Sequence, residues 1–116
     1  MALIDNYRRQ VLRGKERRLK LLMDQVREEG KALIIEKKIL EAQSAIERTK
    51  SQSVINSKLR IIESSEKNLS VLNRNVAILQ ERIIDIDQKI SYLENKVEVE
   101  LERMEAQRLR DERRSR

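Results

Sequence analysis

The sequence predicts an all-α protein, a long antiparallel hairpin whose two helices pack as a coiled coil. The 116 residues include no Pro and only two Gly, so few residues would interrupt a helix. Aromatic residues make up 2% of the chain, whereas a compact core usually relies on Phe, Tyr or Trp for bulk. Charged residues make up 40%, and Leu, Ile and Val recur along the whole sequence, which is typical of coiled coils. These observations favour a repeated apolar seam over a single compact core.

The first predicted helix covers residues 3–48 and carries two apolar stripes. The first stripe consists of Leu12, Leu19, Leu22, Val26 and Leu33. The second stripe consists of Ala32, Ile35, Ile39, Ala42 and Ile46. The second is shifted by about two residues from the heptad of the first, which indicates a local discontinuity in the repeat. The shift follows Gly30, and Gly is about 1 kcal/mol less favourable than Ala inside a helix. We therefore expect the heptad register to be reset near Gly30.

The polar stretch TKSQSVINS, residues 49–57, predicts a turn at about residues 50–57. Ser, Thr and Asn side chains compete with the backbone hydrogen bonds of a helix. The stretch lies near the middle of the chain, so two helices of similar length could pair as antiparallel neighbours. It contains no Gly, Pro or capping box. One continuous helix that pairs with another chain is therefore the alternative.

The second predicted helix covers residues 58–112 and has the clearest heptad pattern. Every seventh residue from Ile55 to Met104 is apolar. From Leu69 to Ile90 the residues three positions later are apolar too. The predicted seam consists of Leu69, Leu72, Val76, Leu79, Ile83, Ile86, Ile90, Leu93 and Val97. β-Branched residues at the first of these two heptad positions and Leu at most sites of the second favour two helices side by side. Residues 1–116 are thus predicted to form one coiled-coil hairpin.

Positive charge is concentrated at the two ends of the sequence. Residues 1–20 carry a net charge of +5, residues 103–116 carry +3, and the remaining residues carry −2. In a hairpin the two ends would lie together as a basic pole of about +8, which could attract an acidic surface. In a continuous helix they would be separated by far more than the Debye length of about 8 Å. Ordinary solvated helix faces are the alternative interpretation of these charges.

The side chains that most enzymes need are missing or badly spaced. The sequence contains no His and no Cys, which removes the commonest general base and all thiolate metal sites. Asp85 and Asp87 lie two residues apart, so a helix would point them to different faces. We expect no enzyme, no catalytic residue, no cofactor and no metal. Tyr7 and Tyr92 are interpreted as packing at the edge of the seam rather than as cofactor contacts.

Nucleic acid and membrane are unfavoured partners. Asp111 and Glu112 interrupt the basic tail, and aromatic side chains for base stacking are missing. No apolar run approaches the roughly 20 residues of a membrane span, although residues 3–22 could lie on a membrane surface. The opening residues lack the features of a secretory signal. We therefore expect no direct membrane insertion, no nucleic acid and a cytoplasmic location.

Four segments in order give the chain a family resemblance. They are YRRQVLRGKERRLKLL, TKSQSVINS, LSVLNRNVAILQERIIDIDQKISYLENKVEVELERM and EAQRLRDERRSR. This arrangement resembles the stalk proteins of type III secretion systems, the YscO/SctO group of injectisomes and the flagellar FliJ. The resemblance covers the whole chain and lies in its architecture rather than in a single motif.

The resemblance implies a cytoplasmic, non-enzymatic stalk that is a monomer in isolation. Its joined termini would enter the pore of the hexameric secretion ATPase and promote assembly and activity, and its turn would reach the cytoplasmic ring of the export gate. The ATPase-facing residues would be Arg8, Arg9, Arg13, Arg17, Arg18, Arg108, Arg110 and Arg113. The gate-facing residues would be Lys50, Gln52, Val54, Asn56, Lys58 and Arg60. A structural coiled-coil tether or scaffold subunit of a multi-helix complex is the alternative function.

Overall fold

The chain folds as an all-α antiparallel helical hairpin, which confirms the predicted fold class. A computed structural model describes residues 2–115 and contains two helices, α1 (Ala2–Arg48) and α2 (Gln52–Ser115). Arg116, which was counted in the basic tail, lies outside the described residues. The chain divides into two compact units, each held together by contacts among its own residues. The first unit contains the residues up to Lys20 and those from Arg82 onward, and the second unit is Leu21–Glu81.

The seam of α1 differs from the predicted one. Buried and half-buried residues recur at spacings of three and four along the whole helix, without a shift at Gly30. These residues are Ile4, Tyr7, Val11, Gly14, Arg18, Leu21, Gln25, Glu28, Ala32, Ile35, Ile39, Ala42 and Ile46. The predicted reset at Gly30 is therefore wrong. The second predicted stripe is part of the observed seam. Toward the N-terminus this seam continues through polar residues, which a search for apolar positions does not count.

Most of the first predicted stripe of α1 lies outside the seam. Leu12, Leu19, Val26 and Leu33 are between 60% and 66% exposed, and only Leu22 of this stripe is half-buried. Each exposed residue directly follows a seam position, so it lies about 100° around the helix from the buried face. An equally regular apolar row thus exists on α1 outside the helix pair.

The α2 seam residues face α1. Leu79, Ile83, Ile90 and Leu93 are at most 9% exposed, and the other five members of the predicted seam are half-buried. Ser65 occupies the same heptad row and is also buried. The apolar period of seven therefore corresponds to the buried face along α2.

The connection between the helices is shorter than the predicted turn at residues 50–57. Between the two helices only residues 49–51 are non-helical, because Ser51 caps α2. Its hydroxyl oxygen accepts a hydrogen bond from the Val54 amide at 3.4 Å, and its carbonyl accepts one from the Ile55 amide at 3.0 Å. The Thr49 hydroxyl accepts a bond from the Ser51 amide at 3.2 Å. The polar side chains thus begin the second helix instead of interrupting it.

Neither helix contains a described stretch that is long and apolar enough to cross a lipid bilayer.

Candidate partner-binding site

The first unit has a small apolar core that holds its two helical segments together. Val11, Ile90 and Leu93 are between 5% and 8% exposed, and Tyr7 and Ile86 pack against them. Tyr7 therefore contributes to the seam, as the sequence indicates. Tyr92 does not: it is 59% exposed, and its ring lies 5.2 Å from the ammonium nitrogen of Lys96.

The two helices of this unit approach closely at Gly14. A Cβ atom at Gly14 would lie 2.9 Å from Cγ1 of Ile90, so a larger residue would force a shift. Because the helices are antiparallel, successive positions toward the start of α1 lie opposite successive positions toward the end of α2. Counted from the Gly14–Ile90 contact, Ala2, the first residue of α1, lies opposite residue 102. Residues 105–115, here called the C-terminal extension, are therefore helical but have no segment of α1 beside them. All of these residues are exposed.

Two ion pairs connect the helices of the first unit. The Arg18 Nε donates a hydrogen bond to Oδ1 of Asp87 at 2.5 Å, and Lys15 Nζ lies 3.8 Å from Oε1 of Glu94. The Lys15–Glu94 side chains are more than half exposed, and those of Arg18 and Asp87 are 39% and 47% exposed. Solvent screens such pairs, so each contributes at most about 1 kcal/mol. Their main effect is to neutralise two of the basic side chains in residues 1–20, here called the N-terminal cluster. The cluster consists of Arg8, Arg9, Arg13, Lys15, Arg17, Arg18 and Lys20.

The segment of α2 beside the N-terminal cluster is acidic. Residues 85–102 contain six acidic and two basic side chains, a net charge of −4. From Arg82 to the end of the chain, nine basic and nine acidic residues balance. The first unit therefore carries about the +5 of its N-terminal segment and not the +8 expected from the two termini alone.

The proposed ATPase-facing residues of α1 fall into two groups. Arg8, Arg9, Arg13 and Arg17 are exposed, and none of them forms a salt bridge within residues 2–115. Arg18 is half-buried and bound to Asp87. Four guanidinium groups are thus available to a partner, while the fifth connects the two helices.

The C-terminal extension is held together by its own side chains. The Arg108 Nη2 lies 2.7 Å from Oε1 of Glu105, and its Nη1 lies 3.2 Å from Oε2 of Glu112. The hydrogen bond from Arg108, followed by its charge, lowers the pKa of the Glu105 carboxyl, and the same contacts raise the pKa of Arg108. Such pairs three and four residues apart stabilise an isolated helix. Arg108 is therefore already neutralised within the extension.

Of the predicted ATPase-facing residues in the C-terminal extension, Arg110 and Arg113 are more available to a partner than Arg108. The Arg110 Nε donates only to the Ala106 carbonyl, at 3.4 Å. Within the described part of the chain neither residue forms a salt bridge. The extension thus presents free guanidinium groups on a single exposed helix.

The proposed gate-facing residues all belong to the second unit. Lys50 lies in the connection, and Gln52, Val54, Asn56, Lys58 and Arg60 lie in the first turns of α2. The Gln52 Nε2 donates a hydrogen bond to Oδ1 of Asn56 at 3.0 Å. Lys58 is half-buried, whereas the other five are exposed. These residues therefore form one short segment of the second unit.

An exposed apolar row on α1 was not recognised as a surface from the sequence. It consists of Leu12, Leu19, Val26, Leu33 and Leu40, at intervals of seven, and every member is at least 60% exposed. The signal was present, because Leu40 continues the period of the first stripe past Gly30. Periodicity predicts this row as part of the seam, because a period of seven does not say which face of the helix is covered.

Residues 2–115 contain no cluster of three potential metal ligands. Comparisons of the chain with known protein families, with curated proteins and with solved structures find no match.

Proposed function

We propose that this protein is the central stalk of a type III secretion system. In this function the basic residues of the first unit bind the hexameric secretion ATPase and promote its assembly and activity. The connection between the helices contacts the cytoplasmic ring of the export gate. The stalk is not an enzyme, works in the cytoplasm and is a monomer before it binds its partners.

One observation carries this proposal: the first unit joins the two termini and extends α2 past the start of α1. The C-terminal extension is a single helix about 10 Å across, which suits the axial pore of a ring. The free guanidinium groups of Arg110 and Arg113 can pair with carboxylates in two parallel hydrogen bonds. Arg8 and Arg9 lie on the adjoining part of α1, where they would meet the rim of the ring.

Electrostatic attraction would favour association of the first unit with the ATPase ring. A net charge of +5 on the first unit accelerates association with an acidic cavity, and the effect weakens as salt is added. The second unit carries only +1, so attraction to an acidic ring would favour entry by the first unit. The connection would then remain available to the gate.

The test is ATP hydrolysis by a purified secretion ATPase in the presence of this protein. Arg110→Glu/Arg113→Glu should abolish the stimulation seen with the wild type, because it replaces attraction with repulsion inside the pore. Lys37→Glu/Lys38→Glu makes the same change in net charge on exposed residues of the second unit and should leave stimulation intact. Equal stimulation by both variants would reject the proposed role of the extension.

The exposed apolar row on α1 favours the alternative function, a subunit of a multi-helix tether. Period-seven apolar rows are the means by which helices of different subunits pair. In that case a second copy of this chain would cover the row, and sedimentation equilibrium would show a dimer or larger assembly at micromolar concentration. A monomer under those conditions favours the stalk.

A further inference from the structure

A groove between the helices of the first unit combines an apolar floor with a basic rim. Its volume is about 210 Å³. The floor is formed by Gly14 of α1 and by Ile86, Ile90 and Leu93 of α2. These residues belong to, or pack against, the core of this unit, so the floor is held in place by the hairpin itself.

Gly14 allows α1 to pack against Ile90 at the floor of the groove. A Cβ at this position would lie 2.9 Å from Cγ1 and 3.3 Å from Cδ1 of Ile90. Any larger residue would therefore both crowd Ile90 and occupy the space above it. Ile90 and Leu93 are only 8% and 5% exposed, so Ile86, which is half-buried, offers the more accessible apolar surface of the floor.

The rim of the groove is entirely basic among its charged members. Arg13 and Arg17 line it from α1 and Lys89 lines it from α2, and no carboxylate takes part. Within residues 2–115 none of these three cations forms a salt bridge. Their neighbours Lys15 and Arg18, by contrast, are paired with acidic residues of α2. The groove thus carries uncompensated positive charge.

The size of the groove limits what it can hold. Sites for cofactors and drug-sized ligands have volumes of about 300–1,000 Å³, so this space suits one bulky side chain rather than a small molecule. Arg13 and Arg17 are one helical turn apart, and residues three or four apart on a partner helix have about the same separation, roughly 5–6 Å. A helix with one apolar residue between acidic residues would match both floor and rim.

We propose that this groove binds an acidic amphipathic helix of a partner protein. One Leu, Ile, Met or Phe of that helix lies on the floor, and carboxylates one turn to either side pair with Arg13, Arg17 and Lys89. Carboxylate–guanidinium pairs of this kind are short and directional, and they would shield the buried anchor from water. The assignment of this helix to the secretion ATPase rests on the proposed function, whereas the binding chemistry does not.

The probe is a dye-labelled peptide of about 20 residues, long enough to form a helix. It carries a single central Leu with Glu three and four residues to either side, and its binding to the full-length protein is measured by fluorescence anisotropy. Wild-type protein should bind it saturably. Replacing the central Leu by Ala, or replacing the Glu residues by Lys, should weaken binding by about tenfold or more, which corresponds to roughly 1.4 kcal/mol.

Arg13→Glu/Arg17→Glu should weaken binding of the acidic peptide by at least about tenfold, and Lys37→Glu/Lys38→Glu should leave it unchanged. Arg13→Gln/Arg17→Gln should have an intermediate effect. Because all four side chains are exposed, circular dichroism should show the same helix content for every variant.

Three outcomes would overturn the proposal: no binding by the wild type, equal binding of the Leu and Ala peptides, or equal binding by the Arg13/Arg17 and Lys37/Lys38 variants. A dimer that dissociates in the Arg13/Arg17 variant would also overturn it, because a second copy would then fill the groove. The assay contains no ATPase, so its failure is independent of the stimulation test on Arg110 and Arg113.

Discussion

At the scale of single residues, the two glycines of α1 have opposite surroundings. A Cβ at Gly30 would meet nothing within 4 Å, whereas one at Gly14 would meet Ile90 at 2.9 Å. Gly30 is exposed on the outer face and is only a weak point of the helix. Gly14 has a structural reason to be small, because the second helix lies against it.

The two sites should respond differently to the same substitution. Gly30→Ala should raise the free energy of unfolding by about 1 kcal/mol, the difference in helix propensity. Gly14→Ala gains the same propensity but overpacks the seam, which typically costs about 1–3 kcal/mol, so it should be neutral or destabilising. Urea unfolding followed by circular dichroism measures both. A Gly14→Ala variant as stable as Gly30→Ala would show that the helices do not approach closely here.

Glu105 gives the extension a pH dependence. Its pKa is lowered, first by the hydrogen bond from Arg108 and then by that residue's charge. A carboxyl group with a lowered pKa contributes stability above its ordinary pKa and loses it as the pH falls through the lowered value. Acid strong enough to protonate Glu105, below the ordinary pKa of a carboxyl group, should therefore reduce the helicity of residues 105–115.

An NMR titration of the Glu105 side chain tests this directly. In the wild type the carboxyl should titrate at lower pH than in Arg108→Gln, which removes both the donor and the charge. Identical titration curves in the two proteins would show that Arg108 does not bind Glu105 in solution.

At the scale of elements, the connection shows how a polar stretch can begin a helix. Ser51→Ala removes the hydroxyl that accepts the Val54 amide and should lower the free energy of unfolding by about 1 kcal/mol. Ser53→Ala is the matched control, because this exposed hydroxyl makes no hydrogen bond in the described structure. Thermal or urea unfolding compares the two, and equal stability would argue against Ser51 as the cap.

The two helices differ in how far their packing could be predicted. In α2 the apolar residues every seven positions coincide with the buried face. In α1 the buried row includes Gly14, Arg18, Gln25 and Glu28, while a more apolar row beside it is exposed. Polar groups in a seam weaken packing but can select one register. A search for apolar periodicity therefore succeeds on α2 and chooses the wrong face on α1.

At the scale of the whole molecule, the fold-back determines which charges meet. The N-terminal cluster lies beside an acidic stretch of α2, which neutralises part of it, and the last arginines lie farther out on the C-terminal extension. The free cations, and not the sum of the terminal charges, define the surface that a partner would meet.

Spin labels in dilute protein test this geometry within the first unit. Labels at positions 5 and 98 should be close together, because the Gly14–Ile90 contact places these positions nearly opposite each other. Labels at positions 5 and 112 should be separated by an additional axial offset of about 20 Å, at 1.5 Å per residue. Equal distances would contradict the projecting extension, and two distances beyond the measurable range would contradict the hairpin.

The sequence by itself predicted an all-α fold, favoured a reversal near the middle of the chain over one continuous helix, and determined that α2 has one regular apolar seam. These properties follow from local propensity and from the period of seven, which each helix carries without its partner. The tertiary structure alone decided that the chain folds back, which face of α1 is covered, where the connection ends, which arginines remain free and how closely Ile90 packs on Gly14. These features depend on how one helix packs against the other. The apolar period of one helix does not specify that packing.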